Sequence, residues 1–127
     1  MTLRLPIPAA ALLGLQLVPA CHHDDPILGH WQIHELEGAA KPDGVEMTLD
    51  IDADLRGDFD FTVSGEYAYA YHTTLKVDAR GAPNYVIDVL PTQGLGASQL
   101  RCELTDDTLT CTDVSGVGLG DPVFKRD

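Results

Sequence analysis

The stretch of sequence that decides the fold is VEMTLDID, residues 45–52. Its apolar residues, at positions 45, 47, 49 and 51, alternate with polar residues at the positions between them. Since successive side chains of a β-strand point to opposite faces, this alternation predicts a strand with one buried and one solvent-facing side. The same alternation returns over 59–63, 67–77 and 85–89, and no stretch after residue 20 sustains the apolar spacing of a helix. The sequence therefore predicts an all-β protein with little helix.

Glycine, proline and aspartate separate the alternating segments. They occur at 42–44, 64–65, 94–96 and 116–120, and such residues favour tight turns. The turn signals divide the chain into eight predicted strands: Gly29–Glu37, Val45–Asp54, Gly57–Ser64, Glu66–Ala79, Asn84–Leu90, Gln99–Thr105, Thr108–Val114 and Pro122–Arg126. Short connections favour antiparallel neighbours, and eight antiparallel strands remove their exposed edges by closing on themselves. We expect an eight-stranded antiparallel up-and-down barrel, with a β-sandwich as the alternative.

The first 20 residues have the layout of an export signal. Arg4 precedes an apolar run from Leu5 to Ala20, and the small side chain of Ala20 stands directly before Cys21. This order is typical of a secretory signal peptide. The run has 16 residues, fewer than the ~20 that cross a bilayer as a helix, and its prolines would break such a helix. We therefore expect an exported protein from which residues 1–20 are removed.

Val18-Pro19-Ala20-Cys21 resembles the lipobox of bacterial lipoproteins. The resemblance implies a diacylglyceryl group on the Cys21 thiol, cleavage before that residue, and often acylation of the new amino group, as with palmitate. It also implies attachment to a membrane of the bacterial cell envelope, outer or periplasm-facing. The alternative is an ordinary cleavable signal that leaves Cys21 as a free thiol. The count of three cysteines favours the lipid anchor, since lipidation leaves Cys102 and Cys111 as an even pair.

The expected organisation is a signal peptide at 1–20, a lipid-anchored tether at 21–27 and a barrel domain at 28–127. Residues 21–127 carry 20 acidic and 7 basic side chains, because Arg4 is the one charged residue before them. This net charge of −13 makes nucleic acid an unfavourable partner. We find no catalytic signature, cofactor motif or metal-ligand set, and expect a protein that is not an enzyme. His22 and His23 beside two aspartates are interpreted as a solvated spacer, with weak metal binding as the alternative.

The hairpin around Asp106-Asp107 has a register that the sequence determines. A two-residue loop pairs Thr105 with Thr108 and, by counting outward, Cys102 with Cys111. That pairing is of the non-hydrogen-bonded kind, with Cα atoms ~4.5 Å apart, which a disulfide accepts. Free buried thiols or a redox pair are the alternatives. An exported protein favours the structural disulfide.

Ile27-Leu28-Gly29-His30-Trp31-Gln32-Ile33 resembles the Gly-x-Trp opening of the first strand in lipocalins and in the lipocalin-like domains of bacterial lipoproteins. In those families the tryptophan packs at the closed base of the barrel and a basic residue of the last strand lies across it. The resemblance therefore implies that Trp31 packs at the base with Arg126 across it, or with Lys125 as the alternative.

Three tyrosines lie in phase on one predicted strand face. Tyr67, Tyr69 and Tyr71, together with Phe59 and Phe61 of the preceding strand, form either ordinary core or the wall of a ligand pocket. The first reading of function is a lipid-anchored module that holds a small apolar or amphipathic ligand against these residues. The alternative is an envelope interaction or stability protein whose barrel is filled by its own side chains and whose partner is another envelope protein.

Overall fold

The computed structural model describes residues 24–94, 96–115 and 120–126, and its described part contains nine β-strands. The strands are β1 (Gly29–Leu36), β2 (Ala39–Ala40), β3 (Val45–Ile51), β4 (Arg56–Val63), β5 (Tyr69–Ala79), β6 (Asn84–Val89), β7 (Ser98–Thr105), β8 (Thr108–Asp113) and β9 (Pro122–Arg126). None of the described residues forms a helix, and none therefore forms one long and apolar enough to cross a membrane.

The strands close into an antiparallel barrel. From β3 to β9 each strand pairs with the next in the chain, and β1 pairs with β3 on one side and with β9 on the other. The barrel wall therefore has eight strands, β1 and β3 to β9. The short β2 pairs with the C-terminal end of β1, where Glu35 faces Ala40 and Leu36 faces Ala39. The predicted lipocalin-like, eight-stranded barrel is confirmed, and β2 is an addition that the sequence did not indicate.

The alternating connections define two ends of the barrel. One end, which we call the base, carries the connections 52–55, 80–83 and 106–107 together with residues 24–28, which precede β1. The opposite end, which we call the rim, carries the four connections between the other strand ends: 37–44, 64–68, 90–97 and 114–121. Adjacent strands run in opposite directions, so these assignments follow from the strand order alone.

Two predicted strand boundaries are wrong. The predicted strand Val45–Asp54 ends at Ile51, because the Asp52 carboxylate accepts hydrogen bonds from the backbone N–H groups of Asp54 and Arg56 and closes a turn instead. The predicted start of β5 at Glu66 moves to Tyr69, because Val63 pairs with Tyr69 and leaves five residues for the connection. Other strand ends agree to within one residue.

The interior is filled by the inward-facing side chains of every wall strand. Its largest members are Trp31, Phe59, Tyr85 and Phe124, none of which is more than 1% exposed. A side chain that bordered a water-sized cavity would keep some accessible area. The middle of the barrel is therefore packed solid around these four rings.

Candidate functional site

The base is sealed by a contact between the first and last strands. Trp31 on β1 pairs with Arg126 on β9, and the Arg126 guanidinium carbon lies 4.2 Å from the centre of the indole ring. Trp31 is fully buried, so this cation–π contact is shielded on the ring side. Arg126 is the residue across Trp31, and the alternative residue Lys125 is exposed.

Residues 24–28 lie under this contact, and three of their consecutive backbone carbonyls accept hydrogen bonds from Arg126 and Trp31. Arg126 donates from Nη2 to the carbonyl of Pro26 at 2.5 Å and from Nη1 to that of Leu28 at 2.6 Å. Trp31 Nε1 donates to the carbonyl of Ile27 at 2.8 Å. Ile27 is itself completely buried. The segment that leads into the barrel is thus a plug for the base, held by side chains of β1 and β9.

A third donor holds the same segment from β6. The hydroxyl of Tyr85 donates to Oδ1 of Asp25 at 2.7 Å, and the backbone N–H of Ile27 donates to the same oxygen at 3.1 Å. The pKa of Tyr85 is raised well above its usual value, mainly by burial and to a lesser degree by the hydrogen bond to Asp25. The phenol therefore remains a proton donor at any physiological pH.

The hairpin of β7 and β8 has the register that the sequence predicts. Thr105 faces Thr108, and Cys102 faces Cys111 with Cα atoms 4.1 Å apart. The two cysteines form a disulfide and are both buried. The predicted Cys102–Cys111 bridge is confirmed, and it joins two wall strands from inside the barrel.

An aromatic cluster occupies the inner face of the wall at the rim. It consists of Phe61 near the end of β4 and Tyr69 and Tyr71 at the start of β5. The ring centres of Phe61 and Tyr71 are 6.1 Å apart, those of Phe61 and Tyr69 5.9 Å, and those of the two tyrosines 5.2 Å. These separations are typical of rings in direct contact, so the cluster presents one continuous aromatic surface with no gap between its members.

The cluster is partly open to solvent and bordered by the 90–97 connection. Tyr69 is 45% exposed, and Phe61 and Tyr71 are partly buried. A Cβ added to Gly94 would lie 2.7 Å from Cε1 of Tyr71, so that connection touches the Tyr71 ring and has no room for a side chain at this point. Aromatic carbon and phenol oxygen thus meet solvent at the end opposite the plug.

No family model, curated protein or solved structure matches this chain. Its candidate site is therefore defined by the geometry above.

The five aromatic residues singled out in the sequence divide into three groups. Phe61, Tyr69 and Tyr71 come together in the rim cluster. Phe59 is completely buried in the core below them, and Tyr67 lies in the 64–68 connection with 83% of its surface exposed. The expectation that Tyr67 shares the inward face of β5 is wrong, because the strand begins two residues later. The lipidation candidate Cys21 and the histidines 22 and 23 lie outside the described residues.

Ser98 is a rim residue that the sequence analysis did not identify. It opens β7 on the same face as Leu100 and Cys102, and it is 4% exposed. Its hydroxyl has no hydrogen-bond partner among the described residues. The signal was present in the sequence, since position 98 continues the alternation of the buried positions 100, 102 and 104 toward the rim.

The remaining histidines that are described lie on the outer wall. Nδ1 of His72 lies 2.6 Å from Oδ1 of Asp60, and Nδ1 of His30 lies 2.6 Å from Oδ1 of Asp50. The hydrogen bond to Asp60 raises the pKa of His72 above its usual value. Within residues 24–94, 96–115 and 120–126, no group of three or more potential ligands is placed to hold a metal ion.

Proposed function

We propose that this protein is a lipid-anchored envelope protein whose lipocalin-like barrel binds the apolar part of a small amphipathic ligand at its rim. The observation that carries the proposal is the rim aromatic cluster. Phe61, Tyr69 and Tyr71 face inward, contact one another and keep solvent exposure at the end of the barrel opposite the plug. An apolar surface with a few polar groups on a rigid wall is typical of ligand sites. The proposal assigns no reaction to the protein.

The proposed site is shallow. The rings of Phe59 and Trp31 fill the barrel below the cluster, so a ligand lies on Phe61, Tyr69 and Tyr71 instead of entering the middle of the barrel. A ligand that covers roughly 150 Å² of apolar surface gains about 4 kcal/mol before the costs of association are subtracted. The expected affinities are therefore weak, with a Kd on the order of 1 mM or higher for small probes.

The membrane anchor is proposed at Cys21. Its support is the cysteine count: the chain has three cysteines, and Cys102 and Cys111 bond to each other. The first described residue, Asp24, is three positions after Cys21 and is the first residue of the plug. Labelling with radioactive palmitate in a bacterial host should mark the wild-type chain and not a Cys21→Ser variant. Equal labelling of the two would contradict the anchor.

A second function is favoured by one specific observation, the solid core. A barrel filled by its own side chains suits a rigid scaffold, and the exposed apolar residues Tyr67, Leu90 and Val114 all lie in or beside the rim connections. In that case the partner is another envelope protein that covers the rim, and the aromatic cluster is a part of the contact surface.

Native mass spectrometry after gentle extraction separates the two functions. Ligand binding predicts that an amphipathic compound added at millimolar concentration gives a one-to-one complex of protein and small molecule, and that this complex is reduced in a Tyr69→Ala variant. Tyr67→Ala is the matched control, since it removes the same side chain from a position outside the cluster. A clean mass for the wild-type protein, unchanged on addition of amphipathic compounds, would contradict ligand binding. Loss of the small molecule to the same degree in both variants would contradict the assignment to the cluster.

A further inference from the structure

Two exposed carboxylates border the rim aromatic cluster. Glu66 lies in the middle of the 64–68 connection and three residues before Tyr69, so the Cα atoms of these two residues are at most about 11 Å apart. Asp43 directly precedes Gly44, whose carbonyl accepts a hydrogen bond of 2.9 Å from the backbone N–H of Ser64. The turn that carries Asp43 therefore lies against the connection that carries Glu66, on the side of the rim where the cluster is found.

No free positive charge offsets these carboxylates in the rim connections. Lys41 is the one basic residue of the four connections, and its Nζ lies 3.0 Å from Oε2 of Glu46 on β3. The 90–97 connection, which borders the other side of the cluster, has no charged residue. On the outer face of β4 and β5, Nδ1 of His72 lies 2.6 Å from Oδ1 of Asp60, so this pair is neutral or negative. A ligand that approaches the cluster therefore meets a negative potential.

The aromatic rings favour a cation for a second reason. The face of an aromatic ring carries partial negative charge, and a cation over an exposed ring typically gains about two- to fivefold in affinity. The rings of Phe61 and Tyr69 meet at 81°, so the cluster presents ring faces in two directions, and Tyr69 is 45% exposed. The carboxylates and the rings thus favour the same charge on a ligand.

We propose that the rim site selects a cationic amphipath, which lays its apolar body on Phe61, Tyr69 and Tyr71 and its ammonium group beside Glu66 and Asp43. This inference rests on the proposed function and names the class of ligand. One carboxylate about 8 Å from a cation strengthens binding about twofold in water-like surroundings. Two carboxylates and a ring face together should strengthen it about three- to tenfold over a neutral compound with the same body. An anionic head group is repelled by the same residues, and fatty acids are thereby disfavoured.

Three probes with one body and different head groups test the charge preference: 4-phenylbutylamine, 4-phenylbutan-1-ol and 4-phenylbutanoate. Each is titrated at neutral pH and low salt into the ¹⁵N-labelled protein, and the affinity is read from the amide shifts of the 64–68 and 90–97 connections. We expect the ammonium compound to bind about three- to tenfold more tightly than the alcohol and the carboxylate to bind more weakly than the alcohol, with differences that salt narrows. An alcohol that binds as tightly as the amine, or a carboxylate that binds as tightly as the alcohol, would overturn the inference while the proposed function stands.

Charge-removing variants test whether the preference comes from the rim. Glu66→Gln should reduce the ratio of amine to alcohol affinity about twofold, and Glu66→Gln combined with Asp43→Asn about fourfold. The matched controls are Asp54→Asn and Asp54→Asn combined with Asp106→Asn, which remove the same charge from exposed positions in the base connections and should leave the ratio unchanged. An unchanged ratio in the rim variants, or an equal reduction in the rim and base variants, would overturn the inference. If none of the probes shifts any rim amide of the wild-type protein, the proposed function fails together with this inference.

Discussion

Replacement of Arg126 by alanine tests the sealed base. The change removes a cation–π contact with Trp31, worth about 0.5–2 kcal/mol, and charged donors to two carbonyls of the plug, worth about 1.5–3 kcal/mol each when fully buried. The Arg126 side chain is 30% exposed, so its net contribution is smaller, about 2–4 kcal/mol. The ion pair with Asp107 adds little, since that carboxylate is 80% exposed.

Urea unfolding followed by fluorescence measures this loss directly, because Trp31 is the single tryptophan of the chain and lies under Arg126. At a typical slope of about 1–1.5 kcal/mol/M, the midpoint should fall by roughly 2 M. Lys125→Ala, one position away and exposed, should change the free energy of unfolding by less than about 0.5 kcal/mol. The loss of unfolding free energy in Arg126→Lys should lie between the losses in Arg126→Ala and Lys125→Ala, because a lysine ammonium cannot donate to both carbonyls as the planar guanidinium does. Equal losses in the alanine variants would refute the proposed role of Arg126.

Three further predictions concern the wall of the barrel. Replacing Cys102 and Cys111 together by alanine should lower the free energy of unfolding, measured in denaturant, because the bridge restricts the unfolded chain. The expected loss is about 2–3 kcal/mol, since the loop that the bridge closes is short; no loss would contradict a stabilising bridge. Gly57→Ala should destabilise by at least about 1–3 kcal/mol, because its Cβ would lie 1.5 Å from a backbone oxygen of β3; a wild-type melting temperature would show that the strands separate easily. The imidazole of His72 should titrate above its usual pKa in an NMR pH series, and Asp60→Asn should lower that pKa, since the carboxylate stabilises the protonated ring. The contribution of this interaction to the stability of the fold is present below the pKa of the histidine in the unfolded chain and is lost as pH rises through its pKa in the folded protein. Equal titration midpoints for His72 in the wild type and in Asp60→Asn would contradict the effect of the carboxylate.

The wall could be predicted from sequence because each strand carries its own signal. The alternation in residues 45–51 identifies a strand without reference to any partner. The pairing of Cys102 with Cys111 follows from the length of a two-residue loop, which fixes register across a hairpin. These features depend on residues that are close in sequence.

The rim could be predicted only in part, because it depends on where paired strands end. The alternation that includes Tyr67 continues unbroken into β5, but the partner strand ends at Val63 and leaves Tyr67 in the connection. The plug depends on residues about 100 positions apart, such as Arg126 and Pro26, and no local pattern connects them. Ser98 was missed for a different reason, since a serine at the start of a strand is usually exposed.

Intermolecular NOEs between 4-phenylbutan-1-ol and the side chains of the barrel test the central claim most directly. We predict NOEs from the probe's ring to the ring protons of Phe61, Tyr69 and Tyr71, and none to Trp31, which lies under the plug at the other end. NOEs to Trp31, or to outer-wall residues with none to the rim cluster, would contradict a ligand site at the rim.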